Sequence, residues 1–328
     1  MITRRKFLSA SIIGGAAFSV SPSVSSFLAN ASAPSLASLT APLLFPKKGE
    51  TLITVLHTND THSQIDPLPA NDKLNGGKGG VARRATLVKR VRKENPNTLM
   101  IDAGDSFQGT PYFNFYKGEV EFKAMSMIGY DAATLGNHEF DNGVDALAAA
   151  MKFANFDFVS ANYDVSGTPL EGRVKPYVVR VLGGVRIGLF GLGVSPIGLI
   201  TPESFKGVKY IDPVKAAADV VKTLRERERC ALVIAMTHIG YYANPKAGDI
   251  GDSQVASQVD GIDFIAGGHT HTFMHKPVLT RTPSGGNTII FQVGKSGIYV
   301  GRVDMKVRGG KLTAAAGRLL DLRDESLA

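Results

Sequence analysis

Leu52-Ile53-Thr54-Val55-Leu56 runs without a break into His57-Thr58-Asn59-Asp60-Thr61-His62. The first five residues form a short apolar run, the length of a buried strand. Directly beyond it, Asp60 and His62 stand two residues apart, and in extended chain such residues point to one face. The pattern of an apolar strand followed by a polar ligand type recurs four times. Thr98–Ile101 leads to Gly104-Asp105, and Asp131–Leu135 leads to Gly136-Asn137-His138-Glu139. Ala231–Met236 leads to Thr237-His238, and Ile262–Ala266 leads to Gly267-Gly268-His269-Thr270-His271. Sheets of α/β proteins place their sites beyond the C-terminal ends of the strands. The five ends are therefore expected to meet at one cavity.

Between these strands the spacing predicts helices over Gly79–Asn95, Glu119–Ile128, Val144–Ala154, Pro213–Glu228 and Ser253–Val259, and a strand over Phe156–Ser160. Gly129 closes the second helix, and Pro213 sits in the first turn of the fourth. Gly183-Gly184 separates Val178–Leu182 from Val185–Phe190, a strong hairpin signal. From about Pro277 to Leu322 the chain reads as strands with Gly-rich turns. The fold class expected is α/β, two packed mixed sheets flanked by helices, in one domain over residues 51–328.

The chain has 328 residues, a formal charge of +8, 44% hydrophobic and 20% charged residues. That composition excludes intrinsic disorder. No apolar run reaches about 18 residues, which excludes a multi-span membrane protein. A single cysteine, Cys230, excludes an internal disulfide and a cysteine-based zinc module. Thr3-Arg4-Arg5-Lys6-Phe7-Leu8, a moderately apolar stretch and Ala31-Ser32-Ala33 read as a twin-arginine export signal over residues 1–33. Residues 34–50 read as a linker. Cleavage after Ala33 would remove Arg4, Arg5 and Lys6 and no acid, leaving +5. Such a charge is a solubility property and not a nucleic-acid footprint. The expected location is the periplasm or another exported compartment, with no stable membrane anchor after cleavage.

Carboxylate, imidazole and amide oxygen together make a mixed site suited to Zn²⁺, Mn²⁺ or Fe. Five of the seven histidines, His62, His138, His238, His269 and His271, fall in the strand-end motifs. His57 and His275 lie close by and read as structural or as supports behind the ligands. The series D-x-H, G-D, G-N-H-E, H and G-H-x-H resembles the signature of the calcineurin-like metallophosphoesterases. Leu56 to His62, Asp102 to Thr110 and Gly129 to Gly143 look like the catalytic domain of secreted bacterial 5′-nucleotidases.

The resemblance implies a four-layer sandwich and two divalent metal ions. Metal one would be held by Asp60, His62, Asp105 and His271, and metal two by Asp105, Asn137, His238 and His269. Asp105 would bridge them, with a bridging water as nucleophile. Asn137 and His138 would contact the substrate, and Asp141 would orient His138 and keep it charged. Many 5′-nucleotidases carry Gln or Asn at the position of His271, so the metal preference is open. The family's usual C-terminal domain, which supplies the base clamp, is expected to be absent. The substrate implied is a nucleotide monoester, and a separate polypeptide carrying that domain is an expected partner. The alternatives are a cyclic-nucleotide or UDP-sugar phosphodiesterase, a thiosulfohydrolase, or a non-catalytic subunit.

Other features read as structure. Gly294-Lys295-Ser296 lacks the glycine that a phosphate-binding loop needs five positions before Gly294, where Ile289 stands. Arg83, Arg84, Lys89, Arg90, Arg92 and Lys93 read as a solvated helix face, Cys230 as packing, and Glu139 as structural. Asp102 is expected to bond backbone near the site. Phe107, Tyr112, Phe113, Phe115 and Tyr116 read as an aromatic loop.

Overall fold

A computed structural model describes residues 45–242 and 250–322. The expected export signal, most of the expected linker and residues 323–328 lie outside the described residues. Among the described residues, no helix is long and apolar enough to cross a membrane.

Two mixed sheets carry the fold. The first has seven strands in the order Lys311–Asp321, Tyr299–Arg308, Thr51–Thr58, Thr98–Asp102, Ala132–Ala133, Asp157–Val159 and Val174–Lys175. Its middle is parallel from Thr51–Thr58 onward, and the two C-terminal strands add antiparallel. The second has six strands in the order Val278–Arg281, Asn287–Phe291, Phe264–Gly267, Leu232–His238, Val185–Gly193 and Tyr177–Leu182. It too is parallel in the middle and antiparallel at both edges. Parallel strands buried on both faces read as near-continuous apolar runs, which is why Leu232–His238 is buried throughout.

Period-two alternation splits Thr51–Thr58 between two cores. Ile53 and Val55 face the second sheet, joining Ile187, Leu189, Phe264 and Ile289. Leu56 faces the opposite way, toward the helices Val81–Glu94 and Glu119–Ile128 through Leu87 and Phe122. The helices Pro213–Lys222 and Asp252–Gln258 cover the second sheet with Ala217, Val220 and Val255. The result is the four-layer arrangement read from the sequence.

Several elements differ from their sequence reading. The strand expected at Asp131–Leu135 pairs only at Ala132–Ala133. Its first residue instead turns its carboxylate back to accept the Met100 amide at 2.7 Å. The helix from Pro213 is regular to Lys222 and then widens into a π-turn over Thr223–Arg227. The aromatic loop contains a short helix, Pro111–Tyr116, that buries Phe113. Arg84 is not on a solvated face. It is 2% exposed and donates from Nη1 to the Tyr130 hydroxyl at 3.1 Å. Cys230 packs in the core, as expected.

Candidate metal centre

Both sheets deliver their parallel strand ends to one rim. Asp60 and His62 follow Thr51–Thr58, Asp105 follows Thr98–Asp102, and Asn137 and His138 follow Ala132–Ala133. From the second sheet come His238, the last residue of its strand, and His269 and His271 after Phe264–Gly267. His238 Nε2 stands 3.0 Å from Asp105 Oδ2 and so joins the two sheets. His62 Nε2 lies 2.9 Å from His271 Nε2, and His271 Nε2 lies 3.3 Å from Asp60 Oδ1. His269 Nδ1 lies 3.1 Å from Asn137 Oδ1. All seven expected ligands are thus brought together.

The motif glycines explain how loops from two sheets come so close. A Cβ on Gly136 would lie 2.2 Å from Asp105 Oδ1. One on Gly104, whose φ is +89°, would lie 2.6 Å from the Gly136 nitrogen. Only glycine admits such approach.

The ligand backbone itself is unusual. Asp60, His62, Asp105, His269 and His271 have φ of 50°, 47°, 55°, 81° and 51°. Left-handed backbone is disfavoured for residues with a Cβ and clusters at functional sites. Here it occupies five of the seven expected ligand positions. The surrounding hydrogen bonds hold it there. Asp60 N donates to Gly104 O at 2.9 Å, His62 N to Asp105 O at 3.0 Å, and His269 N to Asp60 Oδ2 at 3.0 Å.

Three groups of side chains offer donor atoms within 4.8 Å of one another: Asp60, His62 and His271; Asp60, Asp105 and His238; and His62, Asp105 and His138. The tautomers suit a cation. His238 Nδ1 donates to the Ala103 carbonyl at 2.8 Å, which leaves Nε2, 3.0 Å from Asp105 Oδ2, as the nitrogen that faces the cluster. Burial opposes charge on His238, yet Asp105 and Asp60 outweigh it and push its pKa up to about 10. Burial also opposes the charge on Asp105, but His238 holds its carboxyl well below the usual range. The proton on His238 answers a concentration of buried negative charge that a divalent cation would answer instead. Burial, followed by His238, lowers His269 to about 4, and burial lowers His62, so both stand neutral as ligands must. The donor set therefore fits divalent metal.

Sequence reasoning missed most of the supporting groups. Glu139 is 2% exposed, and its carboxylate accepts three backbone amides. These are Asp105 N at 2.9 Å, Ser106 N at 2.7 Å and Gly136 N at 2.6 Å. Burial, and then Asp105, raise its pKa to about 7. Asp102 Oδ1 accepts Gly104 N at 3.0 Å, as expected, while Oδ2 accepts the Thr58 hydroxyl at 2.5 Å. Thr58 in turn meets Tyr130, which continues the network to Arg84. Asn59 donates to Asp60 Oδ2 at 2.6 Å and to Gly294 O at 2.7 Å. Its place beside Asp60 was the only signal. His57 is fully buried between Phe264 and Phe291, and neither ring nitrogen has a hydrogen-bond partner.

His138 differs from the other imidazoles. Its Nδ1 is 2.9 Å from Asp141 Oδ2, and both side chains are partly exposed. The hydrogen bond with Asp141 raises its pKa against the opposing effect of burial. Its backbone N–H donates to Asp105 Oδ1 at 2.9 Å. Only Nε2 remains for other chemistry.

Known proteins are similar to this chain in sequence and fold. The family model described as calcineurin-like phosphoesterase matches residues 53–273. The trifunctional nucleotide phosphoesterase YfkN of Bacillus subtilis is 34% identical over 292 residues, covering 79% of this chain and 18% of that protein. The 5′-nucleotidase of Bos taurus is 31% identical over 303 residues, covering 85% of this chain and 51% of that protein. Among solved structures, a 5′-nucleotidase precursor from Thermus thermophilus superposes with a TM-score of 0.72 at 34% identity. That match covers 83% of this chain and 54% of the other. This chain therefore spans about half the length, or less, of these relatives. The converging strand ends, the donor set and the matching family model agree: the chain belongs to the calcineurin-like phosphoesterase family.

Proposed function

We propose that this chain is an exported hydrolase of phosphate monoesters that works with two divalent ions and favours nucleotides. The observation that carries the reading is the convergence of seven mixed nitrogen and oxygen donors, five on left-handed backbone. Asp60, His62, Asp105 and His271 would hold one ion, and Asp105, Asn137, His238 and His269 the other. Divalent ions there would supply Lewis acidity and a water acidic enough to attack phosphorus at neutral pH.

The remaining steps belong to side chains. His138, whose protonated form the hydrogen bond to Asp141 favours, presents Nε2 to neutralise the phosphoryl oxygens or to protonate the leaving oxygen. Asn137 places its amide beside His269 and toward the phosphoryl group. Asp105 and His62 place His138 among groups close enough to bind metal. The hydrogen bond to Asp141 favours the acid role instead. Nucleotides as the substrate class are supported by the names of the relatives, a nucleotide phosphoesterase and two 5′-nucleotidases. Export is supported by the twin arginines Arg4-Arg5. A second polypeptide over the cleft is supported by the apolar surface of Phe115 and Tyr116, 79% and 54% exposed.

The test is a substrate panel on the purified protein with elemental analysis: p-nitrophenyl phosphate, AMP, a cyclic nucleotide, a UDP-sugar and a thiosulfate conjugate. Two metals per chain with AMP preferred is the expected result. Metal-loaded protein that cleaves only diesters or thiosulfate conjugates would overturn it.

A further inference from the structure

Beside the metal cluster lies a groove of about 520 Å³. That volume is ample for a small-molecule ligand. His271 forms one wall, so the groove opens directly on the cluster. Two other cavities of comparable size, about 620 and 580 Å³, are lined by no expected metal ligand. The lining joins apolar and aromatic side chains, Leu68, Leu74, Phe273, Ile298 and Tyr299, to one cation, Lys295. Phe273 is 41% exposed and Leu74 is 83% exposed. The rings of Phe273 and Tyr299 pack 5.0 Å apart at 42°, which backs one face of Phe273.

The groove is fixed to the metal cluster by hydrogen bonds. Ser296 N, on its floor, donates to Asp60 O at 2.7 Å. Asn59 grips the same segment from both sides, donating to Gly294 O at 2.7 Å and accepting from Val293 N at 3.0 Å. Asp72 is committed to its own turn, where Oδ1 accepts Leu74 N at 3.0 Å and Asn75 N at 2.7 Å. That turn holds Leu74 at the rim and engages Oδ1 of Asp72, so the groove offers a ligand apolar contact beside the single cation Lys295.

We propose that this groove seats the planar aromatic part of the substrate, a nucleobase or another aryl group, while the phosphoryl group lies on the cluster. The inference rests on the phosphomonoester reading and gives that site its preference for aromatic esters from this chain's own residues. Phe273 would act as the stacking platform, with Leu74 closing the other side. Base stacking on an aromatic side chain changes binding by roughly 5- to 150-fold on removal.

Steady-state kinetics on the metal-loaded protein tests it, with AMP, 1-naphthyl phosphate and methyl phosphate as substrates. Phe273→Ala is expected to raise KM for AMP and naphthyl phosphate by about 5- to 50-fold. Its kcat, its metal content and its activity on methyl phosphate should stay within about twofold. Phe273→Tyr should restore the wild-type constants, and Leu74→Ala should act in the same direction more weakly. A KM for AMP unmoved by Phe273→Ala, or an equal loss on methyl phosphate, overturns the groove. Should no ester be hydrolysed, the functional reading falls by itself. Equilibrium dialysis with AMP and bound metal then decides the groove: retention by wild type and not by Phe273→Ala supports it, and equal behaviour refutes it.

Discussion

Replacing Glu139 with glutamine changes almost no volume and removes one acceptor. Oε2 accepts from Asp105 N and Gly136 N, and Oε1 accepts from Ser106 N at 2.7 Å. With its oxygen in the Oε2 place, the glutamine turns an NH₂ group toward the Ser106 amide, donor against donor. A lost charge-assisted bond is worth about 1.5–3 kcal/mol, and an unmet buried donor adds about 1–3 kcal/mol. Together they sum to about 2.5–6 kcal/mol, and the middle of that range, about 3–5 kcal/mol, is what is seen when a buried charged contact is broken. For a domain of this size each kcal/mol moves Tm by about 2–4 °C, so the melt should fall by about 6–20 °C. The local effect is separate. Glu139 ties the Asp105 loop to the Asn137 loop, and loss of such a support typically weakens metal binding about 10- to 100-fold. Calorimetric melts of metal-free protein and zinc competition against a chromophoric chelator read the two effects. Glu139→Ala, which leaves three amides open, should melt lower still. A glutamine variant that melts within about 2 °C of wild type and binds zinc equally well would refute the clip.

Asp105→Asn should lower metal content at both positions, measured by elemental analysis; two retained metals with normal turnover would remove the bridging role. His138→Ala should keep its metal and lose about a hundredfold or more in turnover, and Asp141→Ala should lose less; metal loss in the first variant would mark His138 as a ligand. Burial lowers the pKa of His57 to about 3, whereas a histidine in the unfolded chain titrates near 6.5. Between those values the unfolded chain binds the extra proton, so stability falls as pH falls, by at most about 1.4 kcal/mol per pH unit. Urea midpoints of metal-free protein from pH 6.5 to 5 should show that slope, and His57→Leu should lose it; parallel profiles would show that His57 does not set it.

The strands and the donor residues at their ends were legible because both are local. An apolar run followed by D-x-H or G-H-x-H declares a strand end and its donors within about ten residues. The fold class followed from the alternation of those runs with helices. What was illegible was long-range. Arg84 reads as one more basic residue on a helix until Tyr130, 46 positions away, is found against it. Glu139 reads as structural in G-N-H-E, but its three partners are backbone amides and leave no trace in side-chain spacing, so what it holds could not be read. The groove is built from Leu68–Leu74, Phe273 and Ile298–Tyr299, segments that only the sheet order brings together. The left-handed backbone at the ligands was equally hidden, since histidine and aspartate carry no glycine-like mark.

That backbone bears on how the centre can change over generations. A left-handed position tolerates asparagine better than almost any other residue with a Cβ. His271, with φ of 51°, sits in such a position and is partly exposed. A histidine codon becomes an asparagine codon by one base change, and so does an aspartate codon. At His62, His269 and His271, that single step suits the left-handed backbone and leaves an oxygen donor in place. At the histidines it exchanges nitrogen for oxygen and so moves the site toward harder metals. The shape of the loop thus channels random mutation toward variants that still fold and still hold a cation, and selection for metal supply can act on them one position at a time.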